Sequence, residues 1–232
     1  MRIKVAGFVF EINNRYSYSE QFVTDYLTDE EPDCHISLDE EFLLKRQEKS
    51  PDKPLHYLEF LEIYRVICDY ITEIDGILIH GAVIEFDNNA YMFTAPSGTG
   101  KTTHIKQWKK LYGSRVKIVN GDKPIIRLIG DEFFAYGTPW CGKEHFNRNT
   151  KVPLRGIVVL TRSDENFIEL VPPSEFNQFL LKQLYMPKKI SAKLKTLDIA
   201  DKLFEKVPLY RLGCNISTEA ARVACEGICN NS

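Results

Sequence analysis

Apolar and polar positions alternate from Ile3 to Ile12, which predicts an opening strand. From Tyr26 to Asp52 no periodicity is visible; the segment is acidic, breaks most clearly at Asp29-Glu30-Glu31-Pro32-Asp33, and reads as irregular. Between Pro54 and Ile74 the apolar residues Leu58, Leu61, Tyr64, Ile67, Tyr70 and Ile71 recur at helical spacing and predict one long amphipathic helix. Ile77 to Phe86 and Ala90 to Thr94 read as strands joined by the turn residues Asp87-Asn88-Asn89, a hairpin signal. Further short strands are predicted at Val116 to Val119, Pro124 to Ile129, Phe133 to Tyr136, Ile157 to Leu160, Phe167 to Val171 and Pro208 to Leu212. Gly130-Asp131 is placed to turn the chain. Helical spacing returns at Ser174 to Leu184, Ser191 to Glu205 and Ser217 to Ile228, the last opened by a Ser217 cap. Strands crowd the middle and helices the end, so the pattern predicts an α/β fold with a mixed sheet rather than a regular doubly wound one. Residues 1–75 are expected to pack as a strand and helical segment on a core formed by residues 76–232.

Composition adds limits. A chain of 232 residues, 44% hydrophobic and 27% charged, is long enough for one large globular domain. Its formal net charge of −2 argues against a nucleic-acid partner, which usually demands a strong positive excess. No stretch approaches the ~20 apolar residues of a membrane helix, and the first residues lack the apolar run and cleavage site of a secretory signal. The six cysteines are scattered without a Cys-x-x-Cys pair, so a cytoplasmic protein with reduced thiols and no membrane partner is expected. Cys225 and Cys229 fall on one predicted helix and, lacking a nearby His or Cys partner, read as a packed helix face rather than a metal pair.

The chemistry begins where the hairpin ends. Ala95-Pro96-Ser97-Gly98-Thr99-Gly100-Lys101-Thr102-Thr103 follows a predicted strand and opens a predicted helix from Gly100 to Leu111, with Ile105, Trp108 and Leu111 on one face and Gly113 at its end. That context marks a P-loop. Glycines let backbone N–H groups curl around an anion, and the helix N-terminus adds partial positive charge. Ser97, Gly98, Thr99, Gly100, Lys101, Thr102 and Thr103 are the predicted nucleotide-binding residues, with Lys101 exposed until it meets the terminal phosphates and the Thr102 hydroxyl on a metal. Ala95 stands where the usual pattern has glycine. Phosphate chemistry also needs a carboxylate at a neighbouring strand end, and Asp122 fits in Val119-Asn120-Gly121-Asp122-Lys123-Pro124.

The run from His80 to Arg155 resembles the kinase core shared by HPr kinase/phosphorylase and ATP-dependent phosphoenolpyruvate carboxykinase. The resemblance rests on Ile79-His80-Gly81 ahead of the hairpin, the Ser97 to Thr103 loop, Gly121-Asp122, and Gly137-Thr138-Pro139-Trp140-Cys141-Gly142-Lys143 followed by Pro153-Leu154-Arg155. It implies a mixed-sheet P-loop kinase core with C-terminal helices, using ATP and Mg²⁺. In the HPr kinases an acidic pair at the position of Gly121-Asp122 supplies a general base, supported by the histidine before the hairpin. Here the pair is reduced to one carboxylate, so the resemblance implies Asp122 as base, metal ligand or both, with His80 supporting it. It also brings Arg155 towards the nucleotide. Residues 1–75 lie outside the resemblance.

The loop from Gly137 to Thr150 carries Lys143, His145, Arg148 and Trp140. One reading has Lys143 first and Arg148 second supplying cations to a transferred phosphoryl group; the other has a solvated loop that packs Trp140. The leading function is an ATP- and Mg²⁺-dependent kinase acting on a hydroxyl of a protein, peptide or small molecule that the sequence does not identify. A nucleotide-binding regulatory domain without turnover and a carboxykinase-like enzyme are the alternatives.

Overall fold

The computed structural model describes residues 1–229. Its first element is a hairpin, not a single strand: β1 (Arg2–Val5) pairs antiparallel with β2 (Phe8–Asn13). Ala6 at φ 52° and Gly7 at φ 88° form the turn. The alternation runs through this two-residue turn without a break, which is why the pattern hides it. After the short helix α1 (Glu20–Val23), the segment predicted as irregular holds two elements. Strand β3 (Cys34–Ser37) pairs parallel with β2, and helix α2 (Glu40–Glu48) is capped by the Asp39 carboxylate, which accepts from the Phe42 N–H at 2.6 Å. Ile36 in β3 and Leu43 in α2 are each the sole buried residue of their element, too few for a periodic signal.

Helix α3 (Leu55–Glu73) buries Tyr64, Ile67 and Ile71 of the predicted stripe, and Ile63 beside them. One core joins these to Ile3, Phe10 and Tyr26 of the N-terminal segment and to Ile125, Tyr136 and Trp140 beyond it. The N-terminal sheet is thereby fastened to the rest of the chain through α3.

The remaining elements are β4 (Gly76–Leu78), β5 (Ala82–Phe86), β6 (Asn89–Thr94), α4 (Lys101–Tyr112), β7 (Val116–Asn120), β8 (Ile125–Ile129), β9 (Glu132–Tyr136), β10 (Lys151–Arg162), β11 (Phe167–Leu170), α5 (Asn177–Gln183), α6 (Ile190–Lys206), β12 (Leu209–Cys214) and α7 (Thr218–Cys229). They build a mixed, curled nine-stranded sheet in the order β4-β8-β9-β10-β6-β5-β7, with β12 also on β10 and β11 on β12. The fold is therefore α/β with a mixed sheet.

Strand β10 serves two neighbours. Lys151 to Pro153 run antiparallel to β9; from Leu154, past a register shift, the strand runs parallel to β6. The predicted strand from Ile77 to Phe86 is split: β4 pairs with β8, β5 with β6 and β7, and Ile79-His80-Gly81 crosses between them. The crossing backbone is satisfied outside any ladder, His80 N–H donating to Gln183 O at 2.8 Å and Gly81 N–H to Asp122 O at 3.0 Å.

Alternate residues of the sheet feed two cores. Met92, Ile157 and Val159 pack with Leu180 of α5 and Ile199 and Leu203 of α6. Phe93, Val158 and Leu160 pack with Ile105 and Trp108 of α4 and Ala221 and Ala224 of α7. On α7 the Cys225 and Cys229 sulfurs lie 3.7 Å apart, and no cluster of three or more His, Cys, Asp or Glu able to hold a metal occurs among the described residues. No described helix is long and apolar enough to cross a membrane.

Candidate functional site

Pairing directions bring the candidate residues to one edge of the sheet. Strands β10 and β12 run parallel to β6, and β7, antiparallel to β5, also points the same way as β6. Their C-terminal ends converge there: Thr94 before the glycine-rich loop, Asn120 before Gly121-Asp122, Arg162 and Cys214. The start of β5, with His80 and Gly81 ahead of it, reaches the same edge. In open α/β sheets this is where ligands are received. A register shift between Val83 and Ile84, where β5 meets β7, bends the ladder next to Asp122.

The loop from Ala95 to Gly100 leaves β6 and enters α4. Gly98 at φ 78° and Gly100 at φ 120° occupy backbone regions closed to most L residues, and a Cβ on either would meet nothing, so conformation alone demands glycine there. Lys101 is partly buried rather than exposed as predicted: its ammonium donates to the Ala95 carbonyl at 2.9 Å. Burial pushes the Lys101 pKa down, opposed by the Asp122 carboxylate. Thr102 is partly buried with no side-chain hydrogen bond among the described residues, and Ser97 and Thr103 are exposed.

Asp122 is reached by two framings. Asn120, fully buried, accepts the Asp122 and Lys123 N–H groups on Oδ1 at 2.9 and 2.7 Å and donates through Nδ2 to the Thr138 carbonyl and hydroxyl at 3.0 and 3.1 Å. It fixes the turn that presents the carboxylate. His80 Nε2 then lies 2.8 Å from Asp122 Oδ1, while His80 Nδ1 lies 3.1 Å from the Gln183 amide oxygen. Burial by itself raises the Asp122 pKa; the His80 hydrogen bond and charge, with Lys123 and Lys101, outweigh it and hold the carboxyl below its ordinary value.

The loop from Gly137 to Thr150 packs against this carboxylate. Gly142, at φ 79°, comes so close that an added Cβ would sit 3.2 Å from the Asp122 Cβ. Lys143, exposed, lines the same cleft as Asp122. Beyond it the chain turns back along β7, with Gly121 N–H donating to Phe146 O at 2.8 Å and Arg148 N–H to Val119 O at 3.1 Å. From Phe146 to Arg148 the loop thus runs back along β7 towards its start. The Arg148 guanidinium ends on Glu85 at 3.1 Å, shared with Lys117 at 2.8 Å and one residue from the far end of β5. Arg155 is also at the far edge, bound to Glu132 at 2.9 Å and Asn89 at 3.4 Å, so the position implied for it by resemblance is not the one it takes. Trp140 is buried between Phe60 and Tyr64, its indole N–H donating to the Phe60 carbonyl at 2.8 Å.

His80, Lys101, Thr102, Asp122 and Lys143 are therefore brought to one edge, and Arg148 is not. Sequence reasoning missed Asn120, Gln183 and Arg162. Arg162 donates to the Gly98 carbonyl at 2.6 Å and lines a cavity of about 540 Å³ with Gly98, Thr103, Asp164 and Asn215. Asn120 carried a signal, since Asn before Gly-Asp is turn chemistry; Gln183 and Arg162 are joined to the site only by the fold. At the rear of the cavity His104 accepts the Trp108 indole N–H at 2.9 Å, and burial pushes its pKa down to about 4.

A mixed α/β sheet with a glycine-rich strand-to-helix loop and a histidine–aspartate pair at one edge is the class this geometry defines. The family model described as SynChlorMet cassette protein ScmC matches residues 44–221, and the chain belongs to that family. No curated protein matches. Among solved structures, the Hpr(Ser) kinase/phosphatase from Coxiella burnetii is similar at 8% identity and a TM-score of 0.40, over 66% of this chain and 97% of that one.

Proposed function

We propose that the chain is an ATP- and Mg²⁺-dependent kinase that transfers the γ-phosphoryl group to a hydroxyl. The observation that carries this is the His80–Asp122 pair at 2.8 Å, set at the same sheet edge as a glycine-rich loop whose Lys101 is electrostatically coupled to Asp122. A phosphate-binding loop alone would serve any nucleotide binder; a carboxylate oriented by histidine beside it is what hydroxyl activation requires.

In this reading the Gly98–Gly100 backbone and the N-terminus of α4 receive the phosphates, and Lys101 leaves the Ala95 carbonyl for a stronger charge-assisted contact. The donor set fits magnesium: His80 takes Asp122 Oδ1 and leaves Oδ2 without a hydrogen bond among the described residues, and the Thr102 hydroxyl is likewise without one. One carboxylate and one hydroxyl are what a site completed by phosphate oxygens and water needs. Bound there, the metal neutralises charge on the phosphates. Asp122 accepts the acceptor's proton, His80 fixes the carboxylate, and Gln183 fixes His80. The cavity beside Arg162 takes the nucleoside. Residues 1–75 serve as a unit packed on the catalytic core of residues 76–232, and the free thiols suit a cytoplasmic setting.

The test is incubation with γ-labelled ATP, Mg²⁺ and a panel of hydroxyl acceptors. Label transfer that falls by about a hundredfold or more in Asp122→Asn is expected. Tight ATP binding with neither transfer nor hydrolysis would sink the kinase reading in favour of a regulatory nucleotide-binding domain.

A further inference from the structure

The cleft that holds Asp122 has walls of an unusual kind. Tyr18 and Phe22 come from the N-terminal segment, Tyr57 and Phe60 from α3, and Trp140 and His145 from the loop after β9; together they line a space of about 340 Å³. That is the lower range of small-ligand pockets. The rings brace one another: Phe22 stacks on His145 at 5.4 Å, Phe60 on Trp140 at 5.1 Å, and Tyr18 meets Phe22 edge-on at 5.2 Å. Tyr18, Phe22 and Tyr57 are nevertheless only partly buried, so aromatic surface is left facing the cleft.

We infer that this cleft is the acceptor pocket and that it takes a phenolic hydroxyl, presented by a small phenol or by a tyrosine side chain. The inference rests on the kinase reading above and deepens it. A planar ring finds stacking and edge contacts on several sides, and its hydroxyl, borne on the rim of the ring, reaches Asp122 while the rest of the molecule stays outside. A serine hydroxyl sits one carbon from the main chain and would draw backbone amides against rings that offer them few partners.

Acid strength points the same way. A phenol of pKa about 10 gives up its proton to a carboxylate far more readily than an aliphatic alcohol does. Lys123 and Lys143, both lining the cleft, supply positive charge for the developing phenolate. In the transfer the phenolic oxygen bonds to the γ-phosphorus, the bond from that phosphorus to the bridging oxygen breaks, ADP leaves, and the phenolic proton passes to Asp122 and on to water.

Calorimetry without nucleotide tests the pocket, using 4-methylphenol, Ala-Tyr-Ala amide and Ala-Ser-Ala amide as probes, alongside ATP·Mg²⁺ on the same protein. At least one phenolic probe should bind at least about tenfold more tightly than the serine peptide; Phe22→Ala and Tyr57→Ala should each weaken it about fivefold while leaving ATP affinity intact, which also shows that the variants are folded. Preference for 4-methylphenol assigns a small molecule, and preference for the tyrosine peptide assigns a peptide. ATP binding with no phenol preference, or phenol binding indifferent to both variants, would overturn the inference alone. Phenol binding without ATP binding would instead overturn the kinase reading and leave the cleft a phenol site.

Discussion

His80 Nε2 stands 2.8 Å from Asp122 Oδ1 across a separation of 42 residues. The contact exists because the chain leaves its strand at Ile79, crosses between two parts of the sheet, and re-enters at Ala82 beside the end of β7. Removing His80 leaves the burial of Asp122 unopposed by its principal partner, so the Asp122 pKa should rise in His80→Ala. The acid limb of the transfer rate should move to higher pH, because the base is then protonated over a wider range. Stability follows the same sign. A depressed folded pKa contributes stability that is present above the unfolded value of about 3.9 and is lost as pH falls through the folded value. The stability gap between wild type and His80→Ala should therefore be open at neutral pH and narrow below about pH 4. Denaturant melts across pH would show a constant gap if the pair carried no such linkage.

Asn120 makes four hydrogen bonds from a fully buried position, two to the turn that presents Asp122 and two to Thr138. Asn120→Ala leaves buried donors and acceptors unpaired and should cost about 2–4 kcal/mol in urea unfolding. A loss below about 1 kcal/mol would mean that the turn holds itself.

Lys143 and Arg148, paired as candidates by sequence, are separated by the fold. Lys143→Ala should lower turnover about tenfold or more with ATP affinity nearly unchanged, since the cation meets the transferred group rather than the bound nucleotide. Arg148→Ala should leave turnover within about twofold and cost about 1 kcal/mol of stability, Lys117 still holding Glu85. Steady-state kinetics on the two variants decides it, and the reverse ranking would return Arg148 to the site.

Much of this arrangement was legible in the sequence because it is local. The loop from Ser97 to Thr103, the hairpin before it and Asp122 at a strand end are each written in adjacent residues, and α3 shows its stripe over many turns. What the pattern concealed depends on distant pairing. The turn at Ala6-Gly7 interrupts no alternation, and β3 buries a single residue against β2. Strand β10, predicted only from Ile157 to Leu160, begins at Lys151 because its first residues pair with β9 in the other half of the curled sheet. The same long strand carries Arg155 to one edge and Arg162 to the other. The family resemblance favoured the first, and strand direction selects the second.

The central claim is that the glycine-rich loop holds nucleotide phosphates, and calorimetric titration of ATP·Mg²⁺ into wild type and Lys101→Ala tests it most directly. Among the described residues the Lys101 side chain makes one hydrogen bond, to the Ala95 carbonyl, so the variant should remain folded. Its affinity for ATP should fall by at least about a hundredfold, the loss of a charge-assisted phosphate contact. Wild-type affinity in a folded Lys101→Ala protein would contradict the account.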